Sequence, residues 1–150
     1  MKQQTILRIV AKLLIPYILL FALYVQFHGD FGPGGGFQAG VIFAAGLILY
    51  GLIFGLSAAR EVAPPALMET LTALGVLIYA GTGVLAMFNG GHFLDYSYLG
   101  GHGGGHAEHH GILPQGQHLG ILLVEFGVGL TVAAVMISIF FAFAGRERVQ

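Results

Sequence analysis

The chain has 150 residues, of which 56% are hydrophobic and 9% charged, and its mean hydropathy is +0.82. A soluble domain carries roughly 25% charged residues, so a water-soluble fold is excluded and an integral membrane protein is indicated. The net charge of −1 removes any case for nucleic-acid binding, and the absence of cysteine removes disulfides, thiolate nucleophiles and cysteine metal sites.

A helix needs about 20 mostly apolar residues to cross the bilayer core. Four segments meet that need, which predicts an all-α membrane protein formed as a single domain over 1–150. The first segment, 6–27, carries Arg8 and Lys12 near its start. It is too long for the apolar region of a signal peptide, and no A-x-A-like cleavage site follows it, so it is expected to be a retained span. The run 28–40 comes next: His28-Gly29-Asp30-Phe31-Gly32-Pro33-Gly34-Gly35-Gly36-Phe37-Gln38-Ala39-Gly40. Glycine reaches backbone angles closed to other residues, and proline fixes φ and removes a donor. This stretch predicts a shaped, non-helical turn at the membrane surface. Positive φ is expected within 34–36.

The second span, 37–59, holds no charge. Small residues recur at four-residue spacing at its start, at Gly36, Gly40 and Ala44, and again at Gly51 and Gly55. That spacing flattens one helix face and lets another backbone approach. The turn has few apolar contacts of its own to justify its shape. It is therefore expected to pack on a neighbouring subunit, with the small-residue face turned towards that neighbour. A short connection, Arg60-Glu61-Val62-Ala63-Pro64-Pro65, leads into the third span, 66–88, with proline suited to a first helical turn. Glu69 lies near the start of this span, where an acid is favoured by the helix dipole. The connection 89–117 is long and glycine-rich, and is expected to be flexible. The fourth span, 118–144, contains Glu125.

All six basic residues (Lys2, Arg8, Lys12, Arg60, Arg146 and Arg148) fall on one side of this four-span arrangement. By the positive-inside rule that side is cytoplasmic. Both termini are then inside, and the glycine-rich turn and the loop 89–117 are outside.

Glu125 is the main candidate for chemistry. It sits about 10 Å into its helix, where an acid costs on the order of 3 kcal/mol on insertion scales. It should therefore face protein or water, as a proton or cation carrier or as a hydrogen-bonded packing residue. His118, seven residues earlier, shares its helix face. Glu69 and Lys12 are further ion-path candidates, although a lysine so near a helix end also snorkels to the interface. His102, His106, His109 and His110 are possible metal ligands, but a glycine-rich loop supplies no rigid ligand frame and no metal site is expected. No cofactor is called for. No catalytic triad is present, and the glycines 32–36 lack the Lys-Ser/Thr of a P-loop.

An apolar helix, then His-Gly-x-x-x-Pro-Gly-Gly-Gly-Phe-Gln-x-Gly, then a second apolar helix resembles the MnhB (or MrpB) family, one of the component families of the multisubunit Na⁺/H⁺ antiporters called Mrp, also Mnh or Sha. Here those residues are His28, Gly29, Pro33, Gly34, Gly35, Gly36, Phe37, Gln38 and Gly40, with Asp30 inside the motif. The resemblance rests on the first two spans. It implies an accessory subunit of a cation/proton antiporter, not an enzyme, in a bacterial or archaeal inner membrane. Its partners would be other membrane subunits of the complex, with Na⁺ and H⁺ as the transported ions. Its role would be to support assembly and to line part of the cation path. One buried acid is too little for an independent route, and the repeated half-helices of a self-contained transporter are missing. The alternatives are a membrane-arm subunit of a complex-I-related hydrogenase or other redox-driven pump, and a stand-alone channel.

Overall fold

In a computed structural model of the protein, which describes residues 5–29, 34–96 and 115–146, every regular element is helical. α1 spans Thr5–His28, α2 Gly36–Phe54, α3 Leu56–Val62, α4 Pro65–Phe88 and α5 Gln115–Ala144. α1, α2, α4 and residues 118–144 of α5 are each long and apolar enough to cross a membrane. Pro65 opens α4 at a position where its missing N–H costs nothing. Pro16 lies inside α1, where it removes one helical hydrogen bond, yet the helix runs on.

The second span is shorter than its hydropathy suggests. Gly55 takes φ 102° and ψ 157°, a region open essentially to glycine alone, and this breaks α2 from the seven-residue α3. The break lets α3 turn so that the Ala59 methyl carbon comes within 3.2 Å of where a Cβ on Gly51 would sit. Nothing lies within 4 Å of a Cβ built on Gly55 itself. Any penalty for Gly55→Ala is therefore a backbone penalty, about 1–3 kcal/mol. Gly81 has equally open space and no positive φ, so Gly81→Ala is expected to be neutral or stabilising. Thermal unfolding in detergent checks both. Equal midpoints for the two variants would contradict the backbone explanation.

The four long helices pack in the spatial order α1, α2, α5, α4, each chiefly against its neighbours in that row. α5 is inner and α1 is at the edge: 33% of the most apolar window of α5 is buried inside the protein but only 17% of that of α1. α2 and α5 run parallel in constant register, Gly36 meeting Glu125, Gly40 meeting Gly129 and Gly51 meeting Phe140. α4 runs against them, with Gly75 at Gly127 and Thr131. The residues that disappear from the surface are mostly small, and close backbone approach takes the place of large interlocking side chains. The main cluster joins Ala44, Ala59, Ala63, Met68, Ala134, Ile137 and Phe141. Thr82, buried in α4, has its hydroxyl satisfied by the carbonyls of Ile78 (2.9 Å) and Tyr79 (2.8 Å).

The two ends of the row differ. At one end Arg8 and Lys12 lie over Phe54, and Arg60 lies over Phe141. At the other the α1–α2 turn meets Glu125. The long connection begins as an ordered segment, which its glycine content hides. Phe93 folds back so that its ring covers Gly83 of α4, and the Asp95 N–H donates to the His92 carbonyl at 2.9 Å. His102, His106, His109 and His110 lie outside the described residues, as do Asp30 and Pro33.

Candidate functional site: a carboxylate in a glycine cradle

The described ends of the α1–α2 connection, at Gly29, Gly34 and Gly35, are built around missing side chains. The Gly35 N–H donates back to the Val25 carbonyl at 3.4 Å, closing the turn over the end of α1. Gly34 packs on the same carbonyl, which would stand 2.9 Å from a Cβ placed there. Gly35 adopts φ 124°. Gly34 and Gly36 do not share that positive φ, so the requirement expected across three glycines falls on one.

Glu125 of α5 enters this turn. A Cβ on Gly29 would lie 2.6 and 2.7 Å from its two carboxylate oxygens, and a Cβ on Gly35 would lie 3.2 Å from Oε1. The carboxylate is thus held between the end of α1 and the start of α2. Gly35 is the N-cap of α2 and brings no side chain to that helix end. The carboxyl group thus lies beside the start of α2, where the first N–H groups of a helix present partial positive charge. Gln38, three residues into the cap, folds back so that its Oε1 lies 3.6 Å from the same Gly35 position. That is the direction a glutamine takes in a capping box.

Below the carboxylate the backbones nearly touch. A Cβ on Gly36 would overlap the carbonyl oxygen of Glu125, and one on Gly40 would lie 2.6 Å from the Gly129 carbonyl oxygen. The small-residue face therefore has its partner inside the chain. Gly36 and Gly40 pack on α5, not on a neighbouring subunit as the turn alone suggests, because α5 supplies its own glycine at the matching height. Gln26 of α1 also reaches this seam, its Oε1 2.5 Å from where a Cβ on Gly129 would be. Alongside the seam runs an apolar cavity of about 240 Å³, lined by residues of all four long helices, with Gln26 among them.

The other sequence candidates are scattered. His28 stacks on Tyr24 with ring centroids 5.1 Å apart. Phe37 is 62% exposed on the first turn of α2. His118 is exposed on α5, about 10 Å along the helix from Glu125. Lys12 stands 5.8 Å from the Phe54 centroid at the opposite end of α1, about 25 Å along the helix from Gly29. Glu69 is exposed and falls beyond the first turn of α4, which opens at Pro65, so its expected first-turn dipole role does not apply. It lies about 9 Å along α4 from Gly75, towards the basic end. The structure joins Glu125 to Gly29, Gly35, Gly36 and Gln38, and leaves His118, Glu69 and Lys12 apart from it. Tyr96, beyond α4, has its phenol pushed above the ordinary value of 10.0 by burial and then by Tyr79, so it stays neutral at physiological pH. Among the described residues no group of three or more His, Asp or Glu could hold a metal ion.

Sequence reasoning missed Gln26, Gly129 and the Gly75–Gly127 contact. One signal was present: Gly129 lies four residues after Glu125 and so on the same face of α5.

Spanning helices in a row, with an acid in the seam between two of them, define a multi-pass membrane protein that keeps an ionisable group among backbone atoms. The chain belongs to the family of domains related to the MnhB subunit of Na⁺/H⁺ antiporter, which matches residues 6–138. A protein of Staphylococcus haemolyticus (strain JCSC1435), named as antiporter subunit mnhB2, is 33% identical over 148 residues, covering 97% of this chain and 98% of its own length. A protein of the same name in Staphylococcus aureus (strain Newman) is 33% identical over 147 residues, 96% of each chain.

Proposed function

We propose that the chain is an accessory membrane subunit of a multisubunit Na⁺/H⁺ antiporter, and that Glu125 is its contribution to the cation or proton path. Membership of the MnhB family along nearly the whole chain carries the first part. The second part rests on the cradle: two glycines, Gly29 and Gly35, are kept free of side chains at the place where the carboxylate enters. An acid set among backbone atoms near a helix start suits an ion-exchanging group more than an inert packing residue. Lys12 and Glu69, at the other end, have no part in this path. The transport role is not enzymatic, and the family does not favour the hydrogenase-arm alternative.

The proposal is tested by capturing the full chain from detergent-solubilised membranes of its own cells. Other antiporter subunits should come with it. Recovery of nickel or iron–sulfur proteins instead would favour a redox-driven pump.

The orientation proposed is both termini in the cytoplasm of a bacterial or archaeal cell. Supporting it, Arg8, Lys12 and Arg60, three of the described basic residues, stand at one end, away from Glu125. A reporter fused after Gln150 should give a cytoplasmic signal, and one placed within 100–105 an external signal. The reverse pattern would overturn the orientation.

A further inference from the structure

The basic end carries an arrangement that ion transport does not explain. Arg8 and Lys12 are one helical turn apart on α1, a spacing at which like charges repel. Both nonetheless converge on one ring of the adjacent helix. The Arg8 Cζ lies 5.6 Å, and the Lys12 Nζ 5.8 Å, from the Phe54 centroid. Cation–π attraction to Phe54 holds the two charges together. Both residues are exposed, and among the described residues neither forms an ion pair with a carboxylate.

The surface around them is bare and apolar. Ile9 is 63% exposed and Leu13 62% exposed, within a turn of the two cations. Lys12 is the eighth residue of α1, so it stands about 10 Å along the helix, where a membrane helix passes from headgroup to acyl chain. A lone acidic side chain of a protein partner would answer the charges and leave the apolar face unexplained. An amphiphile with a phosphate head and hydrocarbon tails answers both. The guanidinium fork suits phosphate oxygens, and the ammonium adds a compact second charge.

We propose that Arg8 and Lys12 form a headgroup site for an anionic phospholipid, in which Phe54 keeps the two cations together and the Ile9–Leu13 face of α1 takes the acyl chains. Arg60 is outside this site, because it stands over Phe141, 5.9 Å from that centroid, on the α5 side.

The test uses the full chain reconstituted into phosphatidylcholine vesicles containing a spin-labelled lipid, either phosphatidylglycerol or phosphatidylcholine. The fraction of label immobilised by the protein is measured. The wild type should favour phosphatidylglycerol by about tenfold. Arg8→Gln with Lys12→Gln should bring the preference to within about twofold, while Arg8→Lys and Arg60→Gln should each keep it. Added salt should weaken the wild-type preference. Circular dichroism establishes that the variants keep their helix content. Should the double variant lose it, the salt titration of the wild type decides, and a salt-insensitive preference overturns the proposal. Equal immobilisation of the two lipids by the wild type overturns it, as does a preference that survives in the folded double variant. So does a wild type without preference whose double variant fails to co-purify with its partner subunits, since the cations would then belong to a protein interface.

Discussion

Gly36→Val should abolish the assembled protein in the membrane. The added Cβ would overlap the backbone carbonyl oxygen of Glu125, with the Gly129 N only 3.0 Å away. Neither atom belongs to a flexible side chain, so relief requires α2 and α5 to separate. Forcing extra atoms into a close-packed seam costs about 1–3 kcal/mol and sometimes more. In this protein the seam joins the two inner helices of the row, and α1 and α4 are attached through them. The amount of intact complex, measured by native gel from membranes, should fall roughly tenfold or more. Gly46→Ala is the comparison. There a Cβ would meet the tip of Leu19 at 3.0 Å, a methyl that can move aside, and assembly should hold. Normal amounts of complex in Gly36→Val would show that α2 and α5 do not depend on this contact.

Moving the carboxylate without opening the seam should separate transport from assembly. In Gly29→Ala the new methyl group would meet the Glu125 carboxylate, at 2.6 and 2.7 Å from its oxygens and 3.0 Å from Cδ. Those atoms are the end of a flexible side chain and can be displaced at little cost to the fold. The carboxylate would leave its place between Gly29 and Gly35 by about an ångström, a misplacement that is severe for reacting groups. Exchange should therefore fall roughly tenfold while complex levels stay near wild type. Loss of complex in parallel with exchange would instead make Gly29 a packing residue.

The spans were legible because hydropathy over some twenty residues is a direct consequence of bilayer thickness. The break at Gly55 was not, since glycine is common in membrane helices and nothing in the composition distinguishes φ 102° from a helical value. The stripe of Gly36, Gly40 and Ala44 announced a surface for close approach. A periodic pattern on one helix gives a face but not its partner, and only the register of α2 on α5 shows that Gly129 lies opposite. Glu125 stood out in the sequence as an acid within an apolar span. Its cradle did not, because Gly29, Gly35 and Glu125 are brought together by the return of the fourth span, ninety or so residues later in the chain. Phe93 was hidden in a loop whose glycines suggested mobility, and it folds only because Gly83 leaves room for its ring.

If Glu125 is an ionisable group on the ion path and not filler between helices, its charge and its proton matter and not only its size. Glu125→Gln keeps the size and polarity of the side chain but removes its charge and its exchangeable acid proton. Na⁺/H⁺ exchange is to be followed across pH in everted membrane vesicles containing matched amounts of wild-type or Glu125→Gln complex. Substantial loss of exchange at every pH, with assembly intact, is the predicted result. Wild-type exchange throughout the pH range in the fully assembled variant would contradict the account.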